Sequence, residues 1–94
     1  MLRPVEFTER MEFAPGLTDM EFKIYTADGT CIYSIQPYEQ TVGLYTAEVI
    51  LDETYAGSQV ILRWVSTAGS IDLRVGITLT PEAVSPDVVD LFEN

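Results

Sequence analysis

The chain has no histidine, a single cysteine and only 5 basic residues against 15 acids. Without histidine it lacks the commonest general base and the commonest metal ligand. A Ser-His-Asp or Cys-His arrangement is ruled out outright. The lone Cys31 cannot form an intramolecular disulfide, which points to a reducing compartment. Its neighbours on a strand are apolar and supply no cation to stabilise a thiolate, so it reads as a small buried hydrophobe. The basic residues Arg3, Arg10, Lys23, Arg63 and Arg74 are scattered along the sequence, and no basic patch is expected. A net charge of −10 repels nucleic acid and anionic membranes, whose affinity comes from Lys and Arg. The same charge favours solubility and contact with a basic surface on a partner.

Other absences narrow the chemistry further. There is no Gly-rich phosphate loop and no CxxC, and no D-x-D-x-D spacing accompanies Asp28 or the Asp52–Glu53 pair. The carboxylate pairs Glu9 with Glu12, and Asp52 with Glu53, read as solvated acids rather than an acid/base couple. No apolar run approaches the roughly 20 residues that span a bilayer. Glu6 and Glu9 interrupt the opening MLRPVEFTERMEF where a signal peptide needs an apolar stretch. The expectation is a chain without catalysis, metal or cofactor, made in the cytoplasm or released by lysis.

What is present is alternation. Ninety-four residues make one domain, and 47% hydrophobic content is ample for a core. Val5 and Phe7 alternate, and Met11 and Phe13 continue in the same parity until Ala14-Pro15-Gly16 breaks the run. Met20, Phe22 and Ile24 follow, with Asp19, Glu21 and Lys23 between them. Asp28-Gly29 predicts a tight hairpin of the type that needs positive φ at both central residues. The returning strand is expected over residues 30–35, and a loop over residues 36–42 because of Pro37. Tyr45, Ala47, Val49 and Leu51 alternate next, then a polar turn over residues 52–58, then Val60, Leu62 and Trp64. After the turn Thr67-Ala68-Gly69-Ser70 comes the longest alternation: Ile71, Leu73, Val75, Ile77 and Leu79, ended by Pro81. Six or seven strands with a turn every 8–12 residues predict an all-β fold, a single antiparallel sandwich spanning residues 1–81. Phe7, Phe13, Phe22 and Trp64 fall on inward parity and are expected in its core.

Segments outside that pattern are the candidates for binding. Residues 82–94 form an acidic tail with Glu82, Asp87, Asp90 and Glu93 and no balancing base. Ser85-Pro86 has the form of a helix start, and Val88, Leu91 and Phe92 share one face at helical spacing. An acidic segment with a small apolar face is suited to docking on another chain. The arm before Val5 is a second such candidate. Tyr38 and Tyr55 lie in expected loops, where tyrosines suit interfaces and sugar stacking.

The stretches GLYTAEVIL and AGSQVILRWVSTAG, together with ADGTCIYSI before them, resemble small Ig-like or fibronectin-like sandwiches. The resemblance spans residues 18–80 and is a pattern-level one, shared with small structural proteins of tailed bacteriophages: capsid decoration proteins, neck and tail accessory subunits, and fibre adaptors. It lacks the paired cysteines of antibody-type domains. It implies a non-catalytic virion protein, assembled in the host cytoplasm, that binds capsid, neck or tail subunits and is itself oligomeric. The alternative is a carbohydrate-binding or adhesion module that stacks sugars on Tyr38 or Tyr55.

Overall fold

The computed structural model describes residues 4–79. Within them the chain forms β1 (Val5–Glu12), β2 (Glu21–Thr26), β3 (Cys31–Ile35), β4 (Tyr38–Thr41), β5 (Leu44–Leu51), β6 (Gln59–Ser66) and β7 (Ile71–Thr78), with a 3-10 turn at Glu53–Tyr55. All pairings are antiparallel. One sheet has the order β1-β5-β4 and the other β3-β2-β6-β7. The fold is an antiparallel β-sandwich. Its strand order is that of an immunoglobulin-type sandwich from its second strand onward, with B-E-D facing C′-C-F-G. No counterpart of the first strand, A, occurs among the described residues. The C-terminal tail expected at residues 82–94, with Val88, Leu91 and Phe92, lies outside the described residues.

The core follows from period-2 alternation, which puts every second side chain on one face. Phe22 and Ile24 of β2, Tyr45, Ala47 and Val49 of β5, and Val60, Leu62 and Trp64 of β6 are all buried. The Trp64 ring meets Phe22 edge-on at 4.8 Å and lies 5.7 Å from Phe13, geometries favoured by the aromatic quadrupole. Phe22 and Trp64 sit in the core as expected, whereas Phe7 and Phe13 are only partly buried against it.

The polar ties hold the connections. The buried Tyr45 hydroxyl donates to the Ala14 carbonyl (2.7 Å) and accepts from the Leu17 amide (2.9 Å), fixing the long β1–β2 loop. Asp19 in the same loop accepts from the Ser66 hydroxyl and from the Ala68 amide (2.8 Å), tying it to the β6–β7 turn. These bonds hold the Asp19 carboxyl below the usual carboxylate range, the Ser66 hydroxyl contributing most.

Three local expectations are corrected. The Asp28-Gly29 hairpin has positive φ at Gly29 alone (93°). The Gly29 amide bonds back to the Thr26 carbonyl (2.9 Å), so the chain turns in a wider loop with Gly as its left-handed residue. Cys31 is exposed rather than buried, because a bulge at Ile32 breaks the alternation: Tyr33 and Ile35 stand opposite the buried Ile24 and Phe22, whereas Cys31 stands opposite Tyr25 on the outer face. Residues 36–42 are not all loop: Tyr38–Thr41 pair with β5 as a short edge strand, which Pro37 permits by standing just before it.

Candidate functional site

The feature that stands out is the open side of the sandwich between β1 and β7. On β3, the Tyr33 hydroxyl donates to the Glu48 carbonyl of β5 (3.0 Å), which sets β3 on the β4 side of the facing sheet. β7 therefore lies on the β1 side. A sheet of three strands faces a sheet of four, and β7 is the strand left over.

The register shows what this costs. Ile71, Leu73, Val75 and Ile77 stand opposite Ser66, Trp64, Leu62 and Val60, so they share the core-facing side of their sheet. Their β6 partners are buried to within 2%. Leu73 is nevertheless 36% exposed and Val75 40% exposed. The ends of this strip are covered. At one end Leu17 packs so closely on Gly69 that an added Cβ would stand 2.8 Å from its Cδ1 and 3.0 Å from Ile71 Cδ1. At the other, Val5 and Leu79 are buried, and Leu79 is tied to Gly57 and Ser58 by two backbone bonds of 2.7 and 2.8 Å. The strip from Ile71 to Ile77 is about 20 Å long at roughly 3.3 Å per residue, and its uncovered middle, Leu73 to Val75, about 7 Å.

The opposite wall is β1. Among the described residues it pairs with β5 on one side only, so its other side presents the amides and carbonyls of alternate residues over Val5–Glu12. Glu9 has the parity of Val5, Phe7 and Met11 and points to the core side, opposite the fully buried Ala47. Burial pushes the Glu9 carboxyl above its usual range. Among the described residues it makes no ion pair. Glu9 and Glu12 are therefore not neighbours on one solvated face, as the sequence suggests. They lie on opposite faces of β1, and Glu9 is a half-buried acid on the core-facing side of an edge strand.

The outer face of the larger sheet corrects a second expectation. Lys23, Arg63 and Arg74 stand directly opposite one another across β2, β6 and β7. Three of the five bases thus form one row, invisible in the sequence because the register is non-local. The row is largely neutralised. Arg63 forks onto Asp72 (2.9 and 3.0 Å) and donates to the Tyr25 hydroxyl (3.2 Å), while Lys23 pairs with Glu21 at 3.3 Å.

The two candidate tyrosines are separated. Tyr38 begins β4, is 49% exposed, and donates its hydroxyl to the Glu48 carboxylate (2.8 Å). Arg10, Gln40 and Thr46 complete a polar cluster beside it, with Arg10 and Thr46 both bonded to Gln40. Tyr55 belongs to the 3-10 turn and is partly buried against the core, so its ring is half committed to packing. Among the described residues no group of three or more His, Cys, Asp or Glu side chains is placed to hold a metal ion.

No family model matches the chain, and neither a curated protein nor a solved structure matches it significantly.

Proposed function

We propose that this chain is a non-catalytic structural domain that binds other protein subunits within a larger assembly, as a capsid decoration or head–tail accessory protein of a phage virion. The observation that carries the binding role is the uncovered strip of Leu73 and Val75 on core-facing parity. Burying such side chains is favourable by about 25 cal/mol per Å² of apolar surface, and a sandwich complete in itself would cover them. The virion setting is supported by the sequence resemblance and by the acidic, histidine-free composition. The test is sedimentation of purified particles from the source, probed with an antibody against the chain. The expected result is co-migration of the chain with the particles through a density gradient. Signal confined to the soluble fraction would remove the virion assignment.

A second reading has one observation in its favour. Tyr38 presents an exposed ring with Glu48, Gln40 and Arg10 around it, the pairing of stacking surface and hydrogen-bonding groups that sugars use. A glycan array with the wild type and Tyr38→Ala tests it: sugar binding lost in the variant supports this reading, and no binding by either chain removes it.

A further inference from the structure

We infer that the open side between β1 and β7 receives one extended strand from a different protein, added to the free edge of β1, with alternate apolar side chains covering Leu73 and Val75 and a Lys or Arg set beside Glu9. The inference rests on reading the chain as a protein-binding domain and specifies how it binds. Three independent features converge on it.

The first is the vacancy. Among the described residues the sheet β1-β5-β4 is one strand narrower than the sheet it faces, and the missing place is on the β1 side, over β7. The second is the edge. β1 runs for eight residues, and every second one turns its amide and carbonyl to that side, the template for strand addition, where main-chain bonds supply affinity and alternate side chains supply specificity. The third is Glu9. An inward charge on an edge strand discourages indiscriminate pairing, because a purely apolar strand would leave the carboxylate desolvated without a partner. A strand carrying a cation at that point meets no such penalty.

Charge also selects among occupants. A second copy of this chain brings another net −10, and its described alternating segments are already committed to its own two sheets. No Lys or Arg follows Arg74, so residues 80–94 of this chain or of another copy hold no cation for Glu9. A basic strand from another subunit satisfies the vacancy, the edge and the acid together.

The test uses the full chain, isotopically labelled, and two synthetic peptides of alternating Val and Thr, one with its central Val replaced by Lys and the other by Glu. The readouts are amide hydrogen exchange along β1 and nuclear Overhauser contacts between peptide methyls and those of Leu73 and Val75. The Lys peptide is expected to protect alternate β1 amides and to contact both methyl groups. The Glu peptide should bind about tenfold more weakly, from the sum of a lost attraction and a gained repulsion. Glu9→Gln should reduce that preference to about twofold or less, with the wild-type spectrum otherwise retained. Val75→Thr keeps a branched, strand-favouring side chain and should weaken both peptides. Absence of binding by the Lys peptide, or protection at β3 or β4 instead of β1, overturns the inference. So does protection, in the free chain, of the alternate β1 amides that β5 leaves unpaired, whether from contacts to residues 80–94 or in a dimer seen by light scattering. Co-sedimentation with particles alongside any of these results would overturn the strand while leaving the binding domain in place; strand binding without co-sedimentation would remove only the virion setting.

Discussion

Tyr45 illustrates how a single side chain holds this fold. It reaches from the start of β5 to the long loop between β1 and β2, where its hydroxyl bonds one amide and one carbonyl that have no strand partners. Tyr45→Phe leaves both groups and removes their partner. The expected loss is about 1 kcal/mol, the net worth of part-buried hydrogen bonds whose loop partners regain some contact with water. It is read as a lower urea midpoint with an unchanged slope. Glu9 acts in the opposite direction. Its carboxyl is raised by burial, so the folded state binds that proton more tightly than the unfolded chain does. Ionisation at neutral pH therefore works against folding. Glu9→Gln should raise the melting temperature at pH 7, and the gain should vanish in acid, where Glu9 is protonated in both states. A gain that persists unchanged in acid would show that the carboxylate charge is not its source.

At the scale of the elements, β6 and β7 show what alternation can and cannot reveal. Both read as amphipathic strands, and β7 has the longest clean alternation in the chain. Yet Leu62 is buried and Val75, directly opposite, is 40% exposed. Periodicity identifies which side of a sheet a residue faces, and it says nothing about whether another sheet lies over that side. Coverage depends on the strand count of the facing sheet, a non-local quantity. Leu62→Ala should accordingly cost about 2–5 kcal/mol. Val75→Thr should cost about 0.5 kcal/mol or less, as at an exposed site. Chemical denaturation of the two variants gives the comparison, and equal losses would mean the strip is covered in solution. The antiparallel sandwich and its Phe22–Trp64 centre were legible because each rests on local parity, whereas the short edge strand β4 was hidden behind Pro37. The cation row Lys23–Arg63–Arg74 was not legible, because register joins it, and exposed Cys31 was misjudged because a bulge at Ile32 reverses the parity within β3. Glu9 was legible in principle: it interrupts the apolar parity between Phe7 and Met11, and an acid there is a signal about the edge.

For the whole molecule, charge sets the response to pH and salt. Four aspartates are held below the ordinary range by different partners. The Ser66 hydroxyl acts first on Asp19, the Thr26 hydroxyl on Asp28, the Thr54 amide on Asp52, and the Arg63 guanidinium on Asp72. Each has a folded pKa depressed below its unfolded value, so the stability it contributes is complete above the unfolded aspartate value of about 3.9. As pH falls through that value the unfolded chain takes up protons first, and the contribution is lost as the folded pKa is passed. Glu9 contributes in the opposite sense but alone against four. Superposed on this is self-repulsion from a net −10, which opposes the compact state and is screened by salt. The two effects separate cleanly. At pH 7, raising sodium chloride from low to physiological strength should increase the urea midpoint, since repulsion among acids is what salt removes. Near pH 3 most of that charge is gone, the salt increment should shrink, and the midpoint should fall well below its neutral value. A midpoint that rises steadily on acidification would mean that repulsion outweighs the four hydrogen-bonded aspartates, and that the ties between the loops and the strands contribute less than their geometry implies.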